Sequence, residues 1–177
     1  MEAQFSEIKL EVVQGDISKQ SDMDAVVNAA NAQLMSGGGV AGAIHRAAGP
    51  ELADACRPLA PIAPGEAVIT DAFQLPNRKV VHCLGPVYGR DKPEDQLLGS
   101  CYEKALQLAD DYQLKSIAFP AISTGIFGYP LKEAAQVMLQ TIQKRTEHLS
   151  SVRHIRIVLY GDSDRQQVEQ TLKQMLS

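Results

Sequence analysis

The sequence has no tryptophan, few aromatic residues (5%) and only three cysteines. Cys56, Cys83 and Cys101 are widely spaced, and none of them belongs to a Cys-x-x-Cys pair. This pattern argues against a disulfide framework, because the number is odd, and against a zinc site, because such sites use closely spaced pairs. We expect three reduced thiols that behave as small, buried hydrophobic side chains.

The sequence also lacks a strong charge of one sign and any long hydrophobic run. The net charge is −4 with no broad basic field, so nucleic acid is an unfavourable partner. No apolar run approaches the roughly 20 residues that a membrane-spanning helix needs. The first residues, MEAQFSEIKLEVV, are charged and lack the apolar segment of a signal peptide. We therefore expect a soluble, cytoplasmic protein without a membrane partner, and a monomer as the default state.

What the sequence does contain is enough apolar material for one core. The 177 residues are 45% hydrophobic, which suits a single domain over residues 1–177. Predicted strands are Ile8–Gln14, Ala25–Val27, Ala67–Thr70, Val80–Leu84, Ser116–Phe119 and Ile155–Tyr160. Predicted helices cover 41–57 with a break at Gly49-Pro50, 94–112, a stretch from Leu131, and a last helix capped by Ser163-Asp164. Apolar strands that alternate with helices predict an α/β sandwich with a largely parallel or mixed sheet.

Two glycine-bearing loops leave predicted strands and enter predicted helices. The first follows the strand at Ala25 and contains Gly37, Gly38 and Gly39, and the second is residues 120–130, PAISTGIFGYP. Glycine lets a ligand lie against the main chain, and free N–H groups at a helix start attract anions. Neither loop contains Lys or Arg, which favours binding through main-chain amides. We predict a nucleotide-diphosphate site at the carboxyl edge of the sheet, with any chemistry beside Asn31.

The first loop has two other interpretations. Residues 37–42 spell G-x-G-x-x-G, the dinucleotide fingerprint, but the strand ends several residues too early and the acidic residues Glu51 and Asp54 fall in helical sequence. The loop also lacks the G-K-[ST] of a P-loop. A dinucleotide oxidoreductase is thus the weaker alternative, and a mobile surface turn is the non-functional one.

Single polar residues near these loops have two interpretations each. Asp16 forms an Asx turn or helix cap, or accepts a hydrogen bond from an exocyclic amine. Asn28 is a turn former that fixes the loop backbone, whereas the amide of Asn31 is suited to a sugar hydroxyl. His45 is expected to be a structural hydrogen bonder rather than a base, and His82 to lie in the core. No zinc set and no Ser-His-Asp constellation is readable.

Three segments carry a family resemblance: VVNAAN, GGGVAGAIHRAAG and FPAISTGIFGYP. Each stands in the expected strand-to-loop context, and together they resemble the macrodomain family, most closely its MacroD-type branch of ADP-ribosyl hydrolases. The likeness extends from VVQGDI near the start to the last strand, VLY. The resemblance implies a three-layer α/β/α sandwich around a mixed, mostly parallel sheet of about six strands. It also implies an ADP-ribose cleft at the strand ends.

The resemblance further implies roles for residues at matching positions. Asp16 would accept a hydrogen bond from the adenine amino group, beside the Ile17 backbone, and Tyr160 would pack on the adenine. Phe127 would lie near the distal ribose and Asn31 would hydrogen-bond it. The two loop walls would be Gly37, Gly38, Gly39 and Val40 on one side and Ser123, Thr124, Gly125, Ile126 and Phe127 on the other. Asn31 and Gly38 are the candidate catalytic residues. The resemblance implies no metal or other cofactor, and its ligands are ADP-ribose, O-acetyl-ADP-ribose or mono-ADP-ribosylated proteins.

One position departs from the MacroD pattern, which usually reads G-G-G-V-D-G. Ala41 stands where that aspartate, thought to orient the attacking water, would be. Some viral macrodomains that remove ADP-ribose also have alanine there, so the change is compatible with a slower hydrolase. It is equally compatible with a deliberately inactivated form, or with a reader that binds ADP-ribose without turnover.

Overall fold

The computed structural model describes all residues from 1 to 177. One sheet contains β1 (Glu2–Phe5), β2 (Ile8–Gln14), β3 (Ala25–Ala29), β4 (Ala67–Asp71), β5 (Lys79–Cys83), β6 (Ser116–Phe119) and β7 (His154–Leu159). The helices are α1 (Gly39–Ala48), α2 (Glu51–Cys56), α3 (Glu94–Asp111), α4 (Leu131–Arg145) and α5 (Asp162–Leu176). Short 3-10 turns follow α2 (Arg57–Leu59) and α4 (Thr146–His148). The predicted α/β architecture is confirmed.

The strand order is β1-β2-β7-β6-β3-β5-β4. The five central strands are parallel to one another, whereas β1 and β4 pair antiparallel at the two edges. Parallel strands all present their carboxyl ends at the same edge of the sheet. The loops that follow β2, β3, β5, β6 and β7 therefore start side by side.

Helices cover both faces of the sheet. A core of 31 buried residues lies between the sheet and α3, α4 and α5, and a smaller one of 16 residues lies between the sheet and α1 and α2. Neighbouring residues of β3 point to opposite faces: Val27 belongs to the larger core and Val26 to the smaller. Leu10 and Ile117 are completely buried, so truncating either to alanine would cost about 2–5 kcal/mol of unfolding free energy. The predicted three-layer sandwich is confirmed.

The sheet has seven strands rather than the expected six or so, because β1 was not predicted. Its sequence, EAQF, is short and polar. Antiparallel pairing with β2, with Ala3 opposite Leu10, completes it as a strand. A long-range contact of this kind is not visible in local sequence.

The starts of two helices also differ from prediction. α1 begins at Gly39, two residues before the predicted start at Ala41. Glycine has a low helix propensity, so the sequence does not predict helix at this position. The break at Gly49-Pro50 is confirmed, since α1 ends at Ala48 and α2 begins at Glu51.

The predicted cap of the last helix is wrong. Gly161 is the N-cap of α5, and it makes no side-chain capping bond. Asp164 lies inside the first turn together with Asp162, where negative charge is favoured by the helix dipole. Arg165 pairs with Asp162, which holds that carboxylate on the helix surface.

The three cysteines are buried free thiols, as predicted. None of the helices is both long and apolar enough to cross a bilayer.

Candidate functional site

The chain changes direction within the sheet at β3. After β3 it proceeds through β4 to β5 on one side, and then returns to β6 on the other side of β3. In open α/β sheets, ligands bind at such a switch point, beyond the carboxyl ends of the two strands. The two glycine loops follow β3 and β6, so both border this crevice.

The first glycine loop ends at the exposed start of α1. Gly38 is the N-cap, Gly39 has a φ of 55°, and the first helical bond runs from the amide of Gly42 to the carbonyl of Gly38 at 3.3 Å. The amides of Gly39, Val40 and Ala41 therefore have no partner in the protein. The first turn contains no acidic residue. The loop thus presents unpaired donors at the positive end of a helix, which suits an anion.

The side chain of Asn31 holds the turn that precedes the glycines. Its Nδ2 donates to the carbonyl of Met35 at 2.9 Å, and its Oδ1 accepts from the amide of Met35 at 3.0 Å. One amide hydrogen and one lone pair remain, so a further hydrogen bond to a ligand is possible. Asn31, rather than Asn28, is therefore the asparagine that fixes the loop backbone.

Close packing against α1 positions the glycines themselves. A Cβ on Gly42 would overlap the carbonyl oxygen of Gly37 and lie 2.9 Å from Nη1 of Arg46. Gly42 is thus required by space, because the loop backbone passes directly over the helix. Arg46 is exposed and forms no ion pair, and its guanidinium lies next to the point where the loop passes over Gly42. The sequence alone does not indicate this role, because Arg46 lies in α1, one helical turn after Gly42, and outside both loops.

The second glycine loop is a compact turn held by its own backbone. The amide of Tyr129 donates to the carbonyl of Ser123 at 2.9 Å, and that of Gly128 donates to the carbonyl of Gly125 at 3.0 Å. The Thr124 hydroxyl donates to the carbonyl of Ala121 at 2.8 Å. These bonds close the turn on the strand side and leave its tip, where Ile126 is 99% exposed, facing outward.

A buried tyrosine joins this loop to the larger core. The hydroxyl of Tyr102, on α3, accepts from the amide of Ile122 at 3.1 Å and donates to the carbonyl of Pro120 at 3.3 Å. Ser123 is buried with a φ of 69°, and its Oγ has no partner. A left-handed conformation at a serine costs energy, so neighbouring contacts hold it.

The loops after β2 and β7 lie beyond the second glycine loop. The amide of Gly15 donates to the carbonyl of Leu159 at 2.9 Å, which keeps the two strand ends together. The side chain of Ile17 is buried in the smaller core, so only its backbone faces the edge. Tyr160 is 87% exposed, which excludes core packing and leaves its ring free.

Asp16 forms the Asx turn that was one of its two predicted roles. Its Oδ1 accepts from the hydroxyl of Ser18 at 2.6 Å and from the amide of Ser18 at 2.9 Å. These bonds lower the pKa of the carboxyl, and the nearby charges of Lys19 and Arg46 add to the effect. Oδ2 makes no hydrogen bond in the protein, so the turn and a ligand contact are compatible.

A buried polar layer lies on the side of the sheet that α1 and α2 cover. Nδ2 of Asn28, in β3, lies 3.1 Å from Nδ1 of His82, in β5. With Nδ1 as acceptor, Nε2–H of His82 donates to Oγ1 of Thr70 at 2.9 Å, and that hydroxyl donates to the carbonyl of Asp71. Burial lowers the pKa of His82 to about 3, so the ring is neutral. His82 is a core residue, as predicted, but Asn28 is a strand residue and does not fix the loop.

His45 lies on the buried face of α1 above this layer. Its side chain makes no hydrogen bond in the protein, and its Nε2 is buried. The expectation of a structural hydrogen bonder is therefore wrong. Burial lowers the pKa of the imidazole, which keeps it neutral near pH 7.

The structure brings all the predicted site residues to one edge of the sheet. Along the strand order they are Asp16 and Ile17 after β2, Tyr160 after β7, Ser123 to Phe127 after β6, and Asn31 with Gly37 to Val40 after β3. Phe127 is half-buried and packs against the smaller core, so its ring helps to close the crevice. No group of three or more His, Cys, Asp and Glu side chains is placed to hold a metal ion.

Comparison with known proteins agrees with this geometry. The family model of the Macro domain matches residues 27–138. An O-acetyl-ADP-ribose deacetylase of Salmonella gallinarum is 46% identical over 159 residues, which are 87% of this chain and 88% of that protein. A solved Oceanobacillus iheyensis macrodomain with ADP has a TM-score of 0.95 at 40% identity and covers 99% of this chain and 96% of its own.

A second solved structure is that of the Trypanosoma brucei macrodomain in complex with ADP-ribose. It has a TM-score of 0.84 at 34% identity, with 92% of this chain and 68% of that chain covered. The deacetylase relative is consistent with the MacroD-type branch that the motifs indicate. On the family model and on these identities, the chain belongs to the macro domain family.

Proposed function

We propose that this chain binds ADP-ribose in the crevice between the two glycine loops and hydrolyses an ester attached to the distal ribose. The observation that carries the proposal is the set of unpaired amides at the start of α1, opposite a second glycine turn on the adjacent parallel strand. Relatives named for binding ADP-ribose and for deacetylating O-acetyl-ADP-ribose support it. The substrates are O-acetyl-ADP-ribose, proteins with ADP-ribose esterified to Asp or Glu, or both.

The strand order sets the orientation of ADP-ribose along the edge of the sheet. Asp16 and Tyr160 follow β2 and β7 and take the adenine, while the diphosphate lies between the loops after β6 and β3. Asn31 then contacts the distal ribose through the part of its amide that Met35 leaves free. Phe127 packs against the same sugar from the other wall.

In deacetylation, the oxygen of a water molecule forms a bond to the acyl carbon and the ester C–O bond breaks. The ribose hydroxyl takes a proton, and acetate and ADP-ribose leave. The loop amides, Gly38 among them, stabilise the negative charge that develops on the acyl oxygen. In the protein-linked substrate, water attacks the acyl carbon of the carboxyl ester or the anomeric carbon of the distal ribose, and ADP-ribose again leaves.

The second candidate is a reader that binds ADP-ribose without turnover, and one observation favours it. Ala41 is buried in the first turn of α1, where no acidic side chain is present. A missing general base typically costs on the order of 10²–10⁴ in rate, while the amides that bind the ligand remain. The two candidates therefore differ in turnover and not in affinity.

Calorimetric titration with ADP-ribose tests the shared part of both candidates, and absence of binding rejects both. Release of ADP-ribose from an automodified protein, and of acetate from O-acetyl-ADP-ribose, separates them. If the chain releases neither product while Ala41→Asp releases one, the reader interpretation holds. Slow release by the unchanged chain, accelerated by Ala41→Asp, supports the hydrolase.

Asp16→Ala tests the proposed orientation of ADP-ribose, in which the adenine lies at Asp16. Loss of a charge-assisted hydrogen bond to the adenine amino group should weaken ADP-ribose binding by about 1–3 kcal/mol. Because Asp16 also forms the turn with Ser18, Ser18→Ala is the matched control and should cost less affinity. Equal affinity of the Asp16→Ala variant and the unchanged chain would remove Asp16 from the adenine contact.

A further inference from the structure

The segment Gly85–Tyr88, which begins two residues after the end of β5, packs against the second glycine loop at two points. At its start, a Cβ on Gly85 would overlap Oγ of Ser123 and lie 2.6 Å from Cγ2 of Ile122. Gly85 does not have a positive φ, so its backbone would accept alanine. Glycine is required here by space alone, because the Ser123 side chain occupies the volume of the missing Cβ.

At the end of the segment, Tyr88 makes two contacts with the loop and one with α4. Its amide donates to the carbonyl of Phe127 at 2.8 Å. Its ring lies 4.9 Å from that of Tyr129, tilted by 58°. Its hydroxyl donates to Oε2 of Glu133, on α4, at 3.3 Å. The C-terminal part of the loop is therefore held by the segment after β5 as well as by its own backbone.

These contacts act on Ser123 and Phe127, and Ser123 has an unfavourable backbone conformation. Ser123 has a left-handed backbone, and a serine occupies that region only when neighbouring contacts maintain it. Phe127, whose carbonyl accepts from Tyr88, is the residue whose ring packs toward the crevice. We propose that Gly85 and Tyr88 are positioning residues that set the width of the ligand crevice by fixing Ser123 and Phe127. This inference rests on the proposed ADP-ribose site.

The first test is a double-mutant cycle on ADP-ribose affinity. Gly85→Ala should raise the Kd for ADP-ribose about tenfold by displacing Ser123. In a Ser123→Gly background, which removes the overlap with Oγ but leaves the contact with Cγ2 of Ile122, the same substitution should raise the Kd only about threefold. Gly99→Ala is the matched control: it adds the same methyl group in α3, on another surface, and should change the Kd less than about twofold.

A general loss of stability would give the same fold-change in both backgrounds, and that result would overturn the inference. Tyr88→Ala provides a second variant that adds no steric overlap and should also weaken binding. Both variants keep the backbone amide, but Tyr88→Phe also keeps the ring that packs on Tyr129, so it should bind nearly as well as the unchanged chain.

Hydrogen exchange in the free protein tests the same contacts without a ligand. In the Gly85→Ala variant the amides of Gly128 and Tyr129 should exchange faster, while those of β2 and β7 should not change. Should the unchanged chain fail to bind ADP-ribose, the proposed function is rejected and the exchange data alone decide whether Gly85 positions the loop. Unchanged exchange in the loop, or exchange that rises equally throughout the protein, would refute the positioning role.

Discussion

The two glycine loops border the same crevice but are held by different means. The first is positioned by backbone packing, where Gly37 passes over Gly42, and by one side chain, Asn31, which bonds the turn before the glycines. The second closes on itself through its own backbone bonds and is also held by tyrosines from elsewhere in the chain. Tyr102, from α3, contributes its hydroxyl, and Tyr88, from the segment after β5, contributes its amide and its ring.

The residues that support the two loops also differ, because those under α1 are polar and those under the second loop are mostly apolar. α1, which begins at the first loop, lies over the polar layer of Asn28 and His82, and His45 faces that layer without a hydrogen bond. The second loop leads into α4 and rests on the larger core, where Tyr102 packs on Phe119 with ring centroids 5.2 Å apart. We conclude that both loops are sensitive to added volume, at Gly42 beneath the first and at Gly85 beside the second. They differ in that acid acts on the side of the first loop, whereas the loss of tyrosine groups acts on the second.

The largest effect should come from adding volume beneath the first loop. Gly42→Val places a side chain where the Gly37 carbonyl lies, so the loop must move away from α1. We expect a loss of about 3 kcal/mol in unfolding free energy and at least a hundredfold weaker ADP-ribose binding. Chemical denaturation and calorimetry measure the two. Gly38→Ala is the stability control, because a Cβ there meets no atom within 4 Å; a similar loss of stability in both variants would contradict the argument.

Removing one hydroxyl should loosen the second loop. Tyr102→Phe leaves the Ile122 amide and the Pro120 carbonyl without their partner in a site closed to water. Denaturation should show a loss of about 2 kcal/mol. The hydroxyl of Tyr129 makes no hydrogen bond, so Tyr129→Phe is the matched control and should cost about 0.5 kcal/mol or less. Equal costs would show that the Tyr102 bonds do not hold the loop.

Acid should act first on the side of α1. The pKa of His82 is lowered by burial to about 3 in the folded protein, whereas an unfolded histidine titrates near 6.5. Between these values the unfolded chain binds more protons, so the unfolding free energy falls as the pH falls. From pH 7.5 to 5 we expect a loss of about 2 kcal/mol, with faster hydrogen exchange in α1 than in α4.

Replacing histidines separates this effect from general acid sensitivity. His82→Gln should be less stable at pH 7.5 but should lose most of the dependence between pH 7.5 and 5. His148→Ala, which removes an exposed histidine from the turn after α4, should keep that dependence. If the His82→Gln variant retains the full slope, another group is responsible.

The smallest effect concerns Arg46, the cation above the first loop. Arg46→Gln should raise the Kd for ADP-ribose about three- to fivefold at low salt, and less in 0.5 M salt, because an exposed charge is screened. Arg57→Gln removes the same charge from the 3-10 turn after α2 and should leave the Kd unchanged. Equal salt dependence in the unchanged chain and the Arg46→Gln variant would exclude a direct electrostatic role.

The parts of the fold that sequence predicts are those with local causes. The parallel strands are apolar runs, and the break between α1 and α2 follows from Gly49-Pro50. β1 was missed because EAQF becomes a strand only by pairing with β2. Asn28 was misassigned because an asparagine after apolar residues is typical of a turn, whereas its buried partner, His82, is distant in sequence.

The candidate site likewise contains features with local causes in the sequence and features that depend on long-range contacts. Both glycine loops could be located from composition, since glycine, strand and helix signals are adjacent in the chain. Gly85, Tyr102 and Arg46 could not, because each acts through a contact with a loop that belongs to another element. Their roles depend on how the sheet is ordered, and a single sequence does not reveal that order.

The order of the strands also has a consequence for ligand length. From β2 to β3 the edge crosses three inter-strand steps of about 4.8 Å, or roughly 14 Å in all. An adenine held at β2 and a sugar held at β3 must therefore belong to an extended molecule, whose length matches the distance between these two strands. In the proposed orientation, a mononucleotide bound at the adenine end would span only part of this distance and would leave the end near Asn31 unfilled.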